Sequence, residues 1–171
     1  MLGALQLAFI DSVNLLLIGV IVAVGIAARS NYAKTTALLI AGDWCGVAGL
    51  ALIMLVIFDG LGPVVQRFVE GPVFGILLIA TGVLTAVLAV RGGDNQALVQ
   101  KIMRPLRTPG PATVGTGMVL GLIQSATSLP FYGGLALLSA AGVDAQVRYA
   151  AIPLYATVAL SLPTLAALAV G

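Results

Sequence analysis

The chain has 171 residues, 60% of them hydrophobic and 8% charged, with a formal charge of +2 and a mean hydropathy of +1.14. A soluble domain carries about 25% charged residues, so this composition excludes a water-facing surface over most of the chain. So small a positive charge also speaks against nucleic-acid binding.

There is no His, and Cys45 is the sole cysteine. An intrachain disulfide is therefore impossible, and His-based acid–base or triad chemistry has no residues to use. No metal-ligand cluster or nucleophile–base pair stands out. The expectation is a protein that is not an enzyme and carries no cofactor or metal.

Five apolar stretches reach the roughly 20 residues that a bilayer crossing needs: residues 2–28, 35–58, 72–90, 114–142 and 147–170. They predict an all-α polytopic membrane protein. The first stretch lacks a basic leader, so it reads as a span rather than a cleavable signal. It contains Asp11, roughly 12 Å from its start by helical rise, and Asn14 three residues later on the same helix face. The second contains Asp43, again roughly 12 Å from its own start. A carboxyl group in hydrocarbon costs several kcal/mol by the mildest scales and ordinarily faces a cavity or a polar partner. Burial disfavours the charged form, which suits an acid that binds a proton or a cation. The plainer alternative is a hydrogen-bonded packing residue.

The loop at 91–112 carries Leu98, Val99, Ile102, Met103 and Leu106 interleaved with Lys101, Arg104 and Arg107. This pattern suits a short interfacial helix, or simply a positive-inside signal. The fourth stretch would extend roughly 43 Å as one straight helix, too long for a single crossing. Pro130, followed by Phe131-Tyr132-Gly133-Gly134, supplies a break, so Pro130, Gly133 and Gly134 are the expected hinge. Gln124 and Ser125 lie roughly 15 Å into this stretch, near the depth of the two acids. Thr127, Ser128 and the backbone freed by Pro130 extend that band, and Tyr155, Thr157 and Ser161 on the fifth stretch are further candidates to close it, though not all three can share one helix face. Gly42/Gly46 and Gly117/Gly121/Ser125 repeat small residues at four-residue spacing, a pattern for close helix approach. Cys45 reads as a small buried residue.

Six basic residues (Arg29, Lys34, Arg91, Lys101, Arg104, Arg107) fall in the first and third loops, against Arg67 and Arg148 in the second and fourth. The positive-inside rule then puts the N-terminus outside. Leu7-Ala8-Phe9-Ile10-Asp11-Ser12 matches Leu120-Gly121-Leu122-Ile123-Gln124-Ser125 in pattern, and with one residue of slack Lys34 falls opposite Arg148. The expected organisation is a single domain, 1–171: a first repeat at about 1–90, a cytoplasmic loop at 91–112, and an incomplete second repeat of opposite topology at about 113–171.

The stretch Ala8-Phe9-Ile10-Asp11-Ser12-Val13-Asn14-Leu15 resembles the LysE superfamily of membrane exporters, which often carry an Asp-small-x-Asn-Pro-like motif at this place. Ile40-Ala41-Gly42-Asp43-Trp44-Cys45-Gly46 is similar to the Gly-rich second helix of the GAP branch, associated with export of envelope glycolipids. The Pro-broken stretch from Gln124 to Gly134 takes the place of the second repeat's interrupted helix. The resemblance implies a three-plus-three inverted fold and an export role, with Asp11 and Asn14 lining a central site opposite Gln124, Ser125 and Pro130. The chain departs from the pattern in two ways. Leu15 stands where the motif has Pro, which predicts an unbroken first helix. A sixth helix is also missing; a partner membrane subunit, a second copy, a trimmed end or a working five-helix protein would each account for that. The thiol-transfer branch needs two cysteines, so Cys45 alone speaks against that chemistry.

The leading expectation is a small exporter of a lipid-linked or amphipathic envelope substrate, with Asp11, Asn14, Asp43, Gln124 and Ser125 binding substrate or protons. The alternative is a non-transporting accessory subunit of a larger membrane complex. Membrane lipids are the expected partners, nucleic acid is not, and the preference for Arg over Lys points to a bacterial plasma membrane.

Overall fold

The structure, a computed structural model, describes residues 2–27, 29–72, 76, 79–80, 83, 87 and 102–171. Among them the secondary structure is helical, without strands. The helices are α1 (Leu2–Asp11), α2 (Leu15–Ala27), α3 (Tyr32–Glu70), α4 (Pro111–Thr127), α5 (Leu129–Ser139), α6 (Ala145–Ala159) and α7 (Ser161–Val170). The expected third span at 72–90 and the loop segment 91–101 lie, apart from isolated positions, outside the described residues.

Two helical segments, Arg29–Leu61 and Ala145–Val170, are long and apolar enough to cross a membrane. The pair α1–α2 makes a third if its two halves, bent by 46°, count as one span. This is consistent with a membrane protein; among the described residues two to three segments meet this test, where five spans with a break in the fourth were expected. The fourth expected span, 114–142, is divided into α4 and α5, with 17 and 11 residues, each short of a bilayer crossing.

The first expected span is also broken, despite Leu15 standing in place of proline. After α1 the backbone turns through Ser12 and Val13, and the Asn14 carboxamide oxygen accepts from the Leu17 amide at 3.0 Å. A side chain capping the first turn of α2 satisfies an amide that would otherwise have no partner. No proline is needed when a cap can do this. Asn14 therefore does not share a continuous helix face with Asp11.

Helices α3 and α4 run parallel at very close approach. A Cβ built on Gly42 or Gly46 would meet the Val114 or Met118 carbonyl oxygen, and one on Gly117 or Gly121 would meet the Leu39 or Asp43 carbonyl oxygen. Missing side chains on both helices let the backbones touch, which is how small-residue spacing drives helix association in lipid.

Two apolar clusters complete the packing. One joins Ala4 and Ala8 of α1 to Leu55, Phe131, Ile152 and Tyr155; the other joins Leu17 and Ile21 of α2 to Leu39, Leu106 and Leu120. Trp44 packs against both. Leu106 is fully buried in the second cluster, with Ile102 and Met103 against it. The described part of the loop's apolar strip thus belongs to the bundle rather than lying on an interface.

Arg148 pairs with Asp59 at 3.2 Å and donates to the Ser139 carbonyl oxygen at 2.9 Å, while the Ser139 hydroxyl donates to Asp59 at 2.6 Å. This cluster puts the far part of α3 and the α5–α6 connection at one end of the bundle. At the opposite end the Tyr32 hydroxyl donates to the Ala167 carbonyl oxygen at 2.8 Å and ties the start of α3 to α7.

Candidate functional site

A cavity of about 720 Å³ opens where the two helix breaks meet. The second break repeats the chemistry of the first. Ser128 leaves the helical region (φ −93°, ψ 114°), and its hydroxyl oxygen accepts from the Phe131 amide at 3.2 Å. Pro130 follows in the first turn of α5, where a missing N–H does no harm. The same Ser128 hydroxyl donates to the Asp11 carboxylate, so the two interruptions are joined directly by one side chain.

Four helix ends therefore converge: the C-terminal carbonyls of α1 and α4 and the N-terminal amides of α2 and α5. Asp11 extends from the last position of α1, where its charge opposes the helix dipole, toward the favourable N-terminus of α5. The wall includes Asp11, Asn14, Gln124, Ser125 and Ser128 among apolar side chains such as Leu16 and Val47. A mostly apolar cavity of this size with a few convergent polar groups is the general form of a small-molecule site. Its polar groups can hold a cation, accept a proton or orient a polar head.

Of the expected binding residues, Asp11, Asn14, Gln124 and Ser125 line this one cavity. Asp43 does not. It has 0% exposure and sits behind Gln124, whose carboxamide nitrogen donates to Asp43 Oδ1 at 3.3 Å. Asp43 Oδ2 and Gln124 Oε1 are buried without hydrogen-bond partners among the described residues. Asp43 is held there because Gly121 brings the backbone of α4 against its own. Gln124, which lines the cavity, links it to Asp43.

The helix break falls next to the expected hinge residues, two positions before Pro130. The chain leaves helical geometry at Ser128, while Gly133 and Gly134 are buried inside α5. A Cβ on Gly134 would lie 2.7 Å from Tyr155 Cε2, so this glycine makes room for the aromatic ring. Tyr155 donates to the Phe131 carbonyl oxygen at 3.4 Å and belongs to the core. Thr157 accepts from the Trp44 indole at 3.2 Å, and neither it nor Ser161 lines the cavity; Ala159 and Leu160 do so instead. Cys45 is exposed rather than buried.

Ser128, expected in the polar band but not among the binding residues, lines the cavity together with Thr127. Its signal was present in Ser128-Leu129-Pro130, a capping residue followed by proline in the first helical turn. Its bond to Asp11, 117 positions away, has no local signature.

Compared with known proteins, the chain matches no family model, no curated protein and no solved structure.

Proposed function

We propose that the protein is a small membrane transporter, an exporter of an amphipathic or lipid-linked envelope substrate, working through the cavity between the two helix breaks. The observation that carries this reading is the convergence of Asp11, Asn14, Gln124 and Ser125 on one cavity, with Ser128 bonded to Asp11. Broken helices that present free backbone groups and a carboxylate to a cavity are a recurrent way to bind and release cargo within a bilayer.

The same reading makes the chain an inverted repeat with the LysE-like plan, crossing the membrane five times with its N-terminus outside. Three relationships support it. The capping residues Asn14 and Ser128 keep the same spacing as Lys34 and Arg148. Ala4 and Ala8 on α1 and Ser12 just after it correspond to Gly117, Gly121 and Ser125 on α4, and all six are buried. In packing, α4 lies on α3, and α1 lies on α6 as well as on α5. Asp11 is then the proton- or substrate-binding group, and Gln124 couples the cavity to the acid behind it. The pivot falls at Ser12–Asn14 and Ser128.

Proton flux into liposomes tests this. The full chain is reconstituted around a pH-sensitive dye and a pH gradient is imposed. Flux above that of empty liposomes, diminished by Asp11→Asn, is the expected result. Unchanged flux in that variant rejects the role of Asp11. Absence of flux in the parent protein, with a stoichiometric membrane partner recovered in mild detergent, favours the accessory-subunit reading.

A further inference from the structure

A second cavity, of about 1070 Å³, shares no lining residue with the first. It begins at the turn between α2 and α3 and runs along α3 toward Trp44, with α7 as its other wall. Arg29 and Lys34 stand at its mouth, and no Asp or Glu side chain lines it. Thr36, 3% exposed, also lines it, and its hydroxyl is buried without a hydrogen-bond partner among the described residues. Deeper in, the walls are apolar, through Ile40, Ala41 and Leu168.

We infer that this groove binds one anionic phospholipid from the leaflet beside the α2–α3 turn. Its phosphate is held by Arg29 and Lys34 with the Thr36 hydroxyl, and an acyl chain lies along Ile40 and Trp44. Each part answers a feature of the site. Two cations without a carboxylate among the lining side chains call for an anion. An unsatisfied buried hydroxyl calls for a hydrogen-bond partner, which a phosphate oxygen supplies. An apolar channel continuing from a charged mouth fits a ligand that is charged at one end and hydrocarbon along the rest. The occupant is a lipid rather than free phosphate because a phosphate ion would leave that channel unfilled. The site stands apart from the transport cavity and does not depend on its function.

Trp44 is the chain's single tryptophan and lines this groove, so its fluorescence reports the occupant. The full chain is reconstituted in phosphatidylcholine vesicles containing a small fraction of phosphatidylglycerol with brominated acyl chains, and quenching is compared with the same fraction of brominated phosphatidylcholine. Phosphatidylglycerol is expected to quench out of proportion to its abundance. Arg29→Gln and Lys34→Gln should each lower that preference about fivefold, the effect of one surface cation. Thr36→Val, which conserves shape, should weaken it without altering the emission of the unquenched protein. Arg107→Gln removes an exposed cation outside the groove and should leave it intact. Equal quenching by the two lipids, or the same loss from Arg107→Gln as from Arg29→Gln, would overturn the proposal in favour of an unselective lipid annulus. Relief of quenching by inorganic phosphate at constant ionic strength would overturn the choice of lipid as the source.

Discussion

The Ser128 hydroxyl accepts from the first turn of α5 and donates to Asp11, the last residue of α1. One oxygen thereby caps a helix and ties two chain segments together at the cavity. Loss of this group has separable consequences. Ser128→Ala should lower stability by about 1 kcal/mol for the cap alone, and more once Asp11 loses its donor. Asp11→Asn keeps an acceptor for Ser128, so its melting temperature should stay near that of the parent while proton flux falls. Thermal unfolding in detergent together with the liposome assay distinguishes the two variants. Equal melting temperatures for Ser128→Ala and the parent would remove the structural importance of the link.

The α3–α4 contact should be intolerant of a single methyl group. Gly117→Ala and Gly121→Ala drive a Cβ into the backbone of Leu39 or Asp43, an overpacking that typically costs about 1–3 kcal/mol. Gly115 lies on the same helix with open space around it. Gly115→Ala should therefore be neutral or stabilising by up to about 1 kcal/mol. Denaturation of the three variants in one detergent checks the contrast, and similar losses at all three sites would contradict the parallel glycine contact.

Asp43 and Gln124 should behave as a pair. Gln124→Leu leaves the Asp43 carboxyl without its donor in a buried place, at a cost of about 1–3 kcal/mol. Replacing both partners, Asp43→Val with Gln124→Leu, removes the stranded group and should recover much of that stability. A double-mutant cycle measures the coupling. If the double variant is no more stable than Gln124→Leu, the two side chains do not interact as described.

Orientation is accessible to thiol labelling. In a Cys45→Ala background, a cysteine at Asp144 should react with a membrane-impermeant maleimide from outside intact cells. A cysteine at Ser30 should react only after permeabilisation, because the proposed topology puts Arg29 and Lys34 inside. The reverse pattern would invert the proposed topology.

The helical, membrane-like character of the chain follows from the sequence alone, because a charged fraction of 8% cannot clothe a soluble surface. The convergence of Asp11, Asn14, Gln124 and Ser125 on one cavity was also within reach, since depth along a helix follows from residue count and the bilayer sets a common scale. Other features belong to the tertiary structure. All-round hydrophobicity erases the periodicity that would show which face of a helix is buried. Asp43 could thus be placed at a depth but not behind Gln124, and no pattern showed that Gly134 makes room for the Tyr155 ring. The break at Asn14 needed no proline because its own side chain caps α2, whereas the bond from Ser128 to Asp11 depends on how helices distant in sequence pack. Local hydrogen-bonding capacity is written in residue types; which distant group receives it is decided by packing.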